Sequence, residues 1–95
     1  MPLIDTLPPQ LASAGWIMTG DGKAIEKSFA FTGFPDAMAF MLRVSYAAEA
    51  ADHHPEWSNV YNRVDVRLTT HDAGGLTEKD IVLATAMDRI SAAAS

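Results

Sequence analysis

Twice along this chain the apolar pattern switches from a period of two to one of about 3.6 residues, and this doubled switch constrains the fold more than any other feature. Trp16, Ile17 and Met18 make a short strand candidate, closed by the turn signal Gly20-Asp21-Gly22. From Ile25 to Phe31 the apolar residues Ile25, Phe29 and Phe31 fall on alternate positions with Lys27 between them, a half-buried strand that completes a hairpin. Thr32 and Gly33 break it, and Pro35 sits in the first turn of a helix read over residues 35–53. Pro55 stops that helix by pushing the preceding residue out of the α region. Trp57 to Tyr61 is a second short strand, and Val64, Val66 and Leu68 alternate with Arg63, Asp65 and Arg67 in a longer one. Asn62 is either a turn between the two or part of one continuous strand. After the loop at Gly74-Gly75, Thr77-Glu78-Lys79-Asp80 resembles a capping box ahead of a second helix, with Ile81, Ala84, Met87 and Ile90 as its buried stripe.

The order is therefore β-β-α-β-β-α, and the expected fold class is α+β, with two layers: a four-stranded antiparallel sheet and helices packed on one face. With 95 residues the chain has room for a single domain, 1–95. Its first 13 residues, carrying Pro2, Pro8 and Pro9, form an N-terminal arm with at most a short helical turn. In the first helix Ala37, Met41, Val44 and Ala48 line one stripe, and Met38, Phe40, Leu42 and Ala47 widen it beyond what one sheet face covers. Part of that surface is expected at a subunit interface, which would add to the thin stability margin of so small a domain.

Charge and composition exclude several functions. A net charge of -5 argues against nonspecific nucleic-acid binding and against docking on an anionic membrane. The absence of cysteine rules out disulfides, iron–sulfur clusters and thiol catalysis. The start, Met1-Pro2-Leu3-Ile4-Asp5, lacks the pattern of a secretory signal, and no apolar run approaches the ~18–20 residues of a membrane span. A soluble, cytoplasmic protein is the expectation.

The chemistry-bearing residues cluster. All three histidines, His53, His54 and His71, fall within 19 positions. Glu49 precedes His53 by four residues, so on the helix the two side chains are expected on one face. Pro55 holds His54 extended, so the two adjacent imidazoles should point in different directions, a poor arrangement for one metal ion. His71 follows Thr69 and Thr70 at the end of the long strand, where it could face the end of the first helix. Histidine titrates near neutral pH, which suits acid–base work without metal or cofactor. The alternatives are surface histidines without a role and a metal site. Trp57 is core or interface before it is a wall for a flat heterocycle. Asp80 is read first as a helix cap for the backbone N–H of Thr77, and Arg63, Asp65 and Arg67 as a solvated face.

The stretches Asp52-His53-His54-Pro55-Glu56-Trp57, Asn59-Val60-Tyr61-Asn62 and Leu68-Thr69-Thr70-His71, with Glu49 upstream and Asp80 downstream, are similar to the signature of the pterin-4a-carbinolamine dehydratases. The likeness extends to Gly15-Trp16, the Phe29 to Phe34 region and the final helix. It implies a hydro-lyase that dehydrates 4a-hydroxytetrahydropterin to quinonoid dihydropterin, recycling the tetrahydrobiopterin-type cofactor of an aromatic amino acid hydroxylase. It implies no metal and no cofactor of its own, and homodimers or homotetramers. By matching position it places Asp52, His53 and His54 on one side of the pterin, with Thr69, Thr70, His71 and Asp72 on the other; Trp57, as a wall for the flat ring, is taken with them as substrate-binding. Catalysis is expected from His53 and His71, with His54 orienting the ring and Glu49 tuning His53. Asp72 stands where relatives often carry glutamate, and the arm is shorter and richer in proline than in some of them. Members of the family in animals also serve as dimerisation partners of a homeodomain transcription factor, so a protein-interaction module without catalysis is the alternative.

Overall fold

The computed structural model describes residues 2–94; Met1 and Ser95, at the ends of the proline-rich arm and the alanine-rich tail, lie outside the described residues. The elements are α1 (Pro9–Ser13), β1 (Ile17–Met18), β2 (Ile25–Ala30), α2 (Phe34–Ala51), β3 (Glu56–Val60), β4 (Arg63–Leu68), a 3₁₀ turn (His71–Ala73) and α3 (Glu78–Ala94). The four strands form one antiparallel sheet in the order β1-β2-β4-β3, with α2 and α3 on one face. The β-β-α-β-β-α expectation holds.

Alternation decides which side of the sheet each strand residue takes. Val64, Val66 and Leu68 of β4 and Ile25 and Phe29 of β2 are buried beneath the helices. Arg63, Asp65 and Arg67 lie on the uncovered face, as their alternation predicts, and are balanced there by Glu26 and Glu56. Trp16, Phe29, Phe40 and Phe31 form a chain of tilted and edge-on rings with centroids 4.8–5.9 Å apart, joining hairpin to helix. The buried stripe of α2 is Ala37, Phe40, Val44 and Ala48, so Phe40 takes the place expected for Met41, which is only partly buried. On α3 the expected Ile81, Ala84, Met87 and Ile90 are buried, joined by Asp80, Leu83 and Ala86.

Asn62 is a turn: β3 and β4 are consecutive antiparallel strands joined through Tyr61 and Asn62, with Val60 opposite Arg63. Tyr61 takes a left-handed φ of 51°, and the Asn62 side chain donates to the Phe31 carbonyl, tying the turn to the end of β2. The arm is not loose along its length, because the Ile4 N–H donates to the Leu76 carbonyl and Leu11 is buried.

The end of α2 differs from expectation and is decisive for the site. The helix stops at Ala51 rather than at residue 53. Asp52 adopts the left-handed conformation (φ 50°, ψ 45°); its N–H reaches the Glu49 carbonyl, and the His53 N–H reaches that of Ala48. These are the two bonds of a Schellman terminus, here with aspartate where glycine is usual. The reversal takes His53 off the helix face that Glu49 occupies and turns it inward.

Candidate active site

His53 is buried, its Nε2 2.6 Å from Oδ1 of the fully buried Asp80. The other oxygen of that carboxylate accepts from the Thr77 backbone N–H at 3.0 Å and the Thr70 hydroxyl at 2.8 Å. Because Thr70 donates to Asp80, the Thr77 hydroxyl, 2.8 Å away, must donate to Thr70 and in turn accept from the Lys79 N–H. A single ordered chain of donors thus converges on Asp80. A carboxylate that receives two protein donors on one oxygen is an acceptor on the other, so His53 presents Nε2–H to it. The expected cap on Thr77 is present, and it uses only one of the two oxygens.

His54 turns outward, and its Nε2 lies 3.0 Å from Glu49 Oε1. Here the expectation is corrected: Glu49 pairs with His54 and not with His53, because the left-handed Asp52 ends the helix before the i, i+4 relation can operate. His71 does not terminate a strand, since β4 ends at Leu68; it opens the 3₁₀ turn, folded back by the Thr70–Gly75 bridge. Its Nε2 lies 3.0 Å from Glu56 Oε2. Each of the three imidazoles therefore engages its own carboxylate through Nε2, and among the described residues none of the three Nδ1 atoms has a protein partner.

The three rings line one cleft of about 250 Å³, together with Asp52, Thr69, Thr70, Asp72 and Lys79. No buried side-chain nitrogen or oxygen among the described residues lacks a partner, so the unpaired Nδ1 of His53 is open to solvent, which it meets at this cleft. Thr69 is pinned from behind by its bond to the Lys23 carbonyl. Trp57 does not line the cleft; strand alternation sends it with its cross-strand neighbour Val66 to the helix side, where it packs partly buried against the core. A larger hollow, about 930 Å³, lies over the open face of the sheet, but it contains no histidine and its charged residues largely pair with one another. All three imidazoles lie in the smaller cleft. Among the described residues no group of three or more His, Cys, Asp or Glu side chains is arranged to hold a metal ion.

Sequence reasoning gives no role in the cleft to three contributors, although Asp80 and Glu56 stand within the family pattern. Asp80 carried a signal, because a capping carboxylate has a second oxygen to spare. Glu56 carried a weaker one, as the strand residue after Pro55 whose alternation points away from the core. Lys79, which supplies the cleft's ammonium group, was read only as part of a helix start.

Fold and cleft together define a class: a small α+β protein with three imidazoles, each paired to a carboxylate, gathered in one cleft. The comparisons specify it further. The family model described as pterin 4 alpha carbinolamine dehydratase matches residues 4–90, and the chain belongs to that family. A Mesorhizobium japonicum relative assigned as a pterin-4-alpha-carbinolamine dehydratase is 54% identical over 85 residues, covering 88% of this chain and 87% of its own length. A Rhodopseudomonas palustris relative with the same assignment is 58% identical over 78 residues, 82% of this chain and 77% of its own. The crystal structure of a transcriptional coactivator/pterin dehydratase from Brucella melitensis superposes with a TM-score of 0.81 at 45% identity, covering 86% of this chain and 89% of that one. A pterin dehydratase-like protein identified as a RuBisCO assembly factor shares the fold, with a TM-score of 0.70 at 20% identity over 81% of this chain and 89% of that one.

Proposed function

We propose that this protein dehydrates pterin-4a-carbinolamine to quinonoid dihydropterin, with the three imidazoles of the cleft as its acid–base and orienting groups. Elimination of water from this substrate needs one proton delivered to the departing 4a-hydroxyl and one removed from N5–H. The proton count is conserved and no electrons are transferred. Neutral histidine with Nε2–H held by a carboxylate offers Nδ1 as a base, and the protonated ring offers Nδ1–H as an acid. His53, the buried ring, is the principal acid/base; His71 is its partner across the substrate; His54, on its exposed pair with Glu49, orients the pterin. Asp52 and Thr69 sit beside these rings with a carboxylate and a hydroxyl for the polar edge of the heterocycle, and Asp72 and Lys79 complete the cleft wall. Thr70, whose hydroxyl is committed to Asp80, acts by holding that carboxylate.

The convergence of His53, His54 and His71 on one cleft carries this reading. It is tested by generating the carbinolamine in situ and following quinonoid dihydropterin formation with the purified protein, before and after chelator treatment. Acceleration well above the spontaneous rate, unchanged by chelator, is the expected result. No acceleration by a folded protein would refute the proposal, and a rate that disappears with a stoichiometric metal would replace it with metal catalysis.

The product would be reduced again for reuse by a hydroxylase of aromatic amino acids, which fits a cytoplasmic setting; among the described residues no helix is long and apolar enough to cross a membrane. The same chain also carries a surface for self-association. Phe34, Met38, Leu42 and Tyr46 form an i, i+4 ridge along α2, each at least 42% exposed. Such a ridge fits a homodimer or homotetramer, and it is also the observation that favours the second reading, an interaction module for a partner helix. Light scattering should give a mass at least twice the 10.2 kDa of one chain, and Leu42→Asp should return it to one. A wild-type monomer at micromolar concentration would count against self-association.

A further inference from the structure

We infer that Glu56 is the positioning residue of His71 and that Arg67 holds Glu56 in place; this deepens the dehydratase reading and rests on it. His71 lies on a short 3₁₀ turn with its side chain 78% exposed, and among the described residues its ring makes one polar contact, Nε2 to Glu56 Oε2 at 3.0 Å. A ring on an exposed turn with no such anchor would rotate freely, and a catalytic base must be held in a defined orientation to be effective. The anchor itself is well placed. Glu56 and Arg67 are direct cross-strand neighbours in the β3–β4 ladder, and Arg67 Nη1 donates to both carboxylate oxygens, at 3.3 and 3.2 Å. The same Oε2 therefore receives Arg67 from the sheet and His71 from the turn. Glu26 faces Arg67 from the other side at 3.9 Å and limits its movement away from Glu56.

The chain Arg67–Glu56–His71 transmits the rigidity of the ladder to a ring outside it. Because the carboxylate takes Nε2–H, the nitrogen left for substrate is Nδ1, as in His53. All three groups are at least about a third exposed, and exposed ion pairs contribute little to stability, so the consequence is expected in kcat and not in melting temperature.

The test combines kinetics with relaxation of the ¹³C-labelled His71 ring in wild-type, Glu56→Ala, Glu56→Gln and Arg67→Met proteins. Glu56→Ala should lower kcat by about 10-fold with KM changed by less than about twofold, and should increase ring mobility at His71 while leaving His53 unaffected. Glu56→Gln, whose amide oxygen still accepts Nε2–H, should recover most of the rate and the ring order, and Arg67→Met should fall between. Wild-type kcat and unchanged ring relaxation in Glu56→Ala would overturn the assignment. If the wild-type protein fails to dehydrate the carbinolamine, the functional reading falls, and the relaxation data still decide whether Glu56 holds His71.

Discussion

His53→Ala is expected to lower kcat for carbinolamine dehydration by at least about 100-fold in a protein that still folds. His53 is the one cleft imidazole that is buried and held by a carboxylate itself removed from water. His54 and His71 sit on exposed pairs, whose geometry is held less firmly. Removing the His53 ring leaves Asp80 with its Thr70 and Thr77 donors, so the helix cap survives and the stability loss should stay within about 1–3 kcal/mol. Added imidazole should recover part of the rate, since the vacated space borders the cleft. The measurement is steady-state dehydration alongside a thermal melt; a folded variant with near-wild-type kcat would eliminate His53 as the principal acid/base.

Asp80→Asn is the second large expected effect, and it separates the tautomer of His53 from its presence. The asparagine oxygen can accept from Thr77 and Thr70 as the carboxylate does, which turns the amide NH₂ toward His53. An NH₂ donor requires a lone pair on Nε2, so the ring proton moves to Nδ1 and the cleft loses its base. The same logic makes an aspartate-to-asparagine change severe in a Ser-His-Asp triad although the geometry survives. A fall in kcat of about 100-fold or more is expected, with a modest loss in melting temperature. Nitrogen NMR of the His53 ring should show the proton transferred from Nε2 to Nδ1. Asp80→Ala is a less informative substitution, because three buried donors then lose their acceptor at a cost of about 3–5 kcal/mol, a large part of a small domain's stability. Full activity in Asp80→Asn would mean that this carboxylate serves the helix start alone.

Much of the fold was legible because its signals are local. Alternation in Val64, Val66 and Leu68 and the cap at Thr77 each depend on neighbours a few residues apart and appear where expected, and of the two readings open at Asn62 the turn is the one found. Boundaries were less legible. Proline sterics at Pro55 carry the expected helix to His53, whereas it ends at Ala51 because Asp52 accepts a left-handed backbone that no glycine advertised. That difference of two residues exchanged the partner of Glu49 from His53 to His54.

By itself the sequence determined the order of elements and singled out the three imidazoles that share the cleft, because periodicity and residue type act along the chain. The tertiary structure alone decided which carboxylates His53 and His71 received. Asp80 lies 27 positions from His53 and Glu56 lies 15 from His71, and such pairs meet only when helix and sheet pack. The physical reason is that a hydrogen bond is settled within a few tenths of an ångström, a precision that spacing along a chain does not carry across a fold.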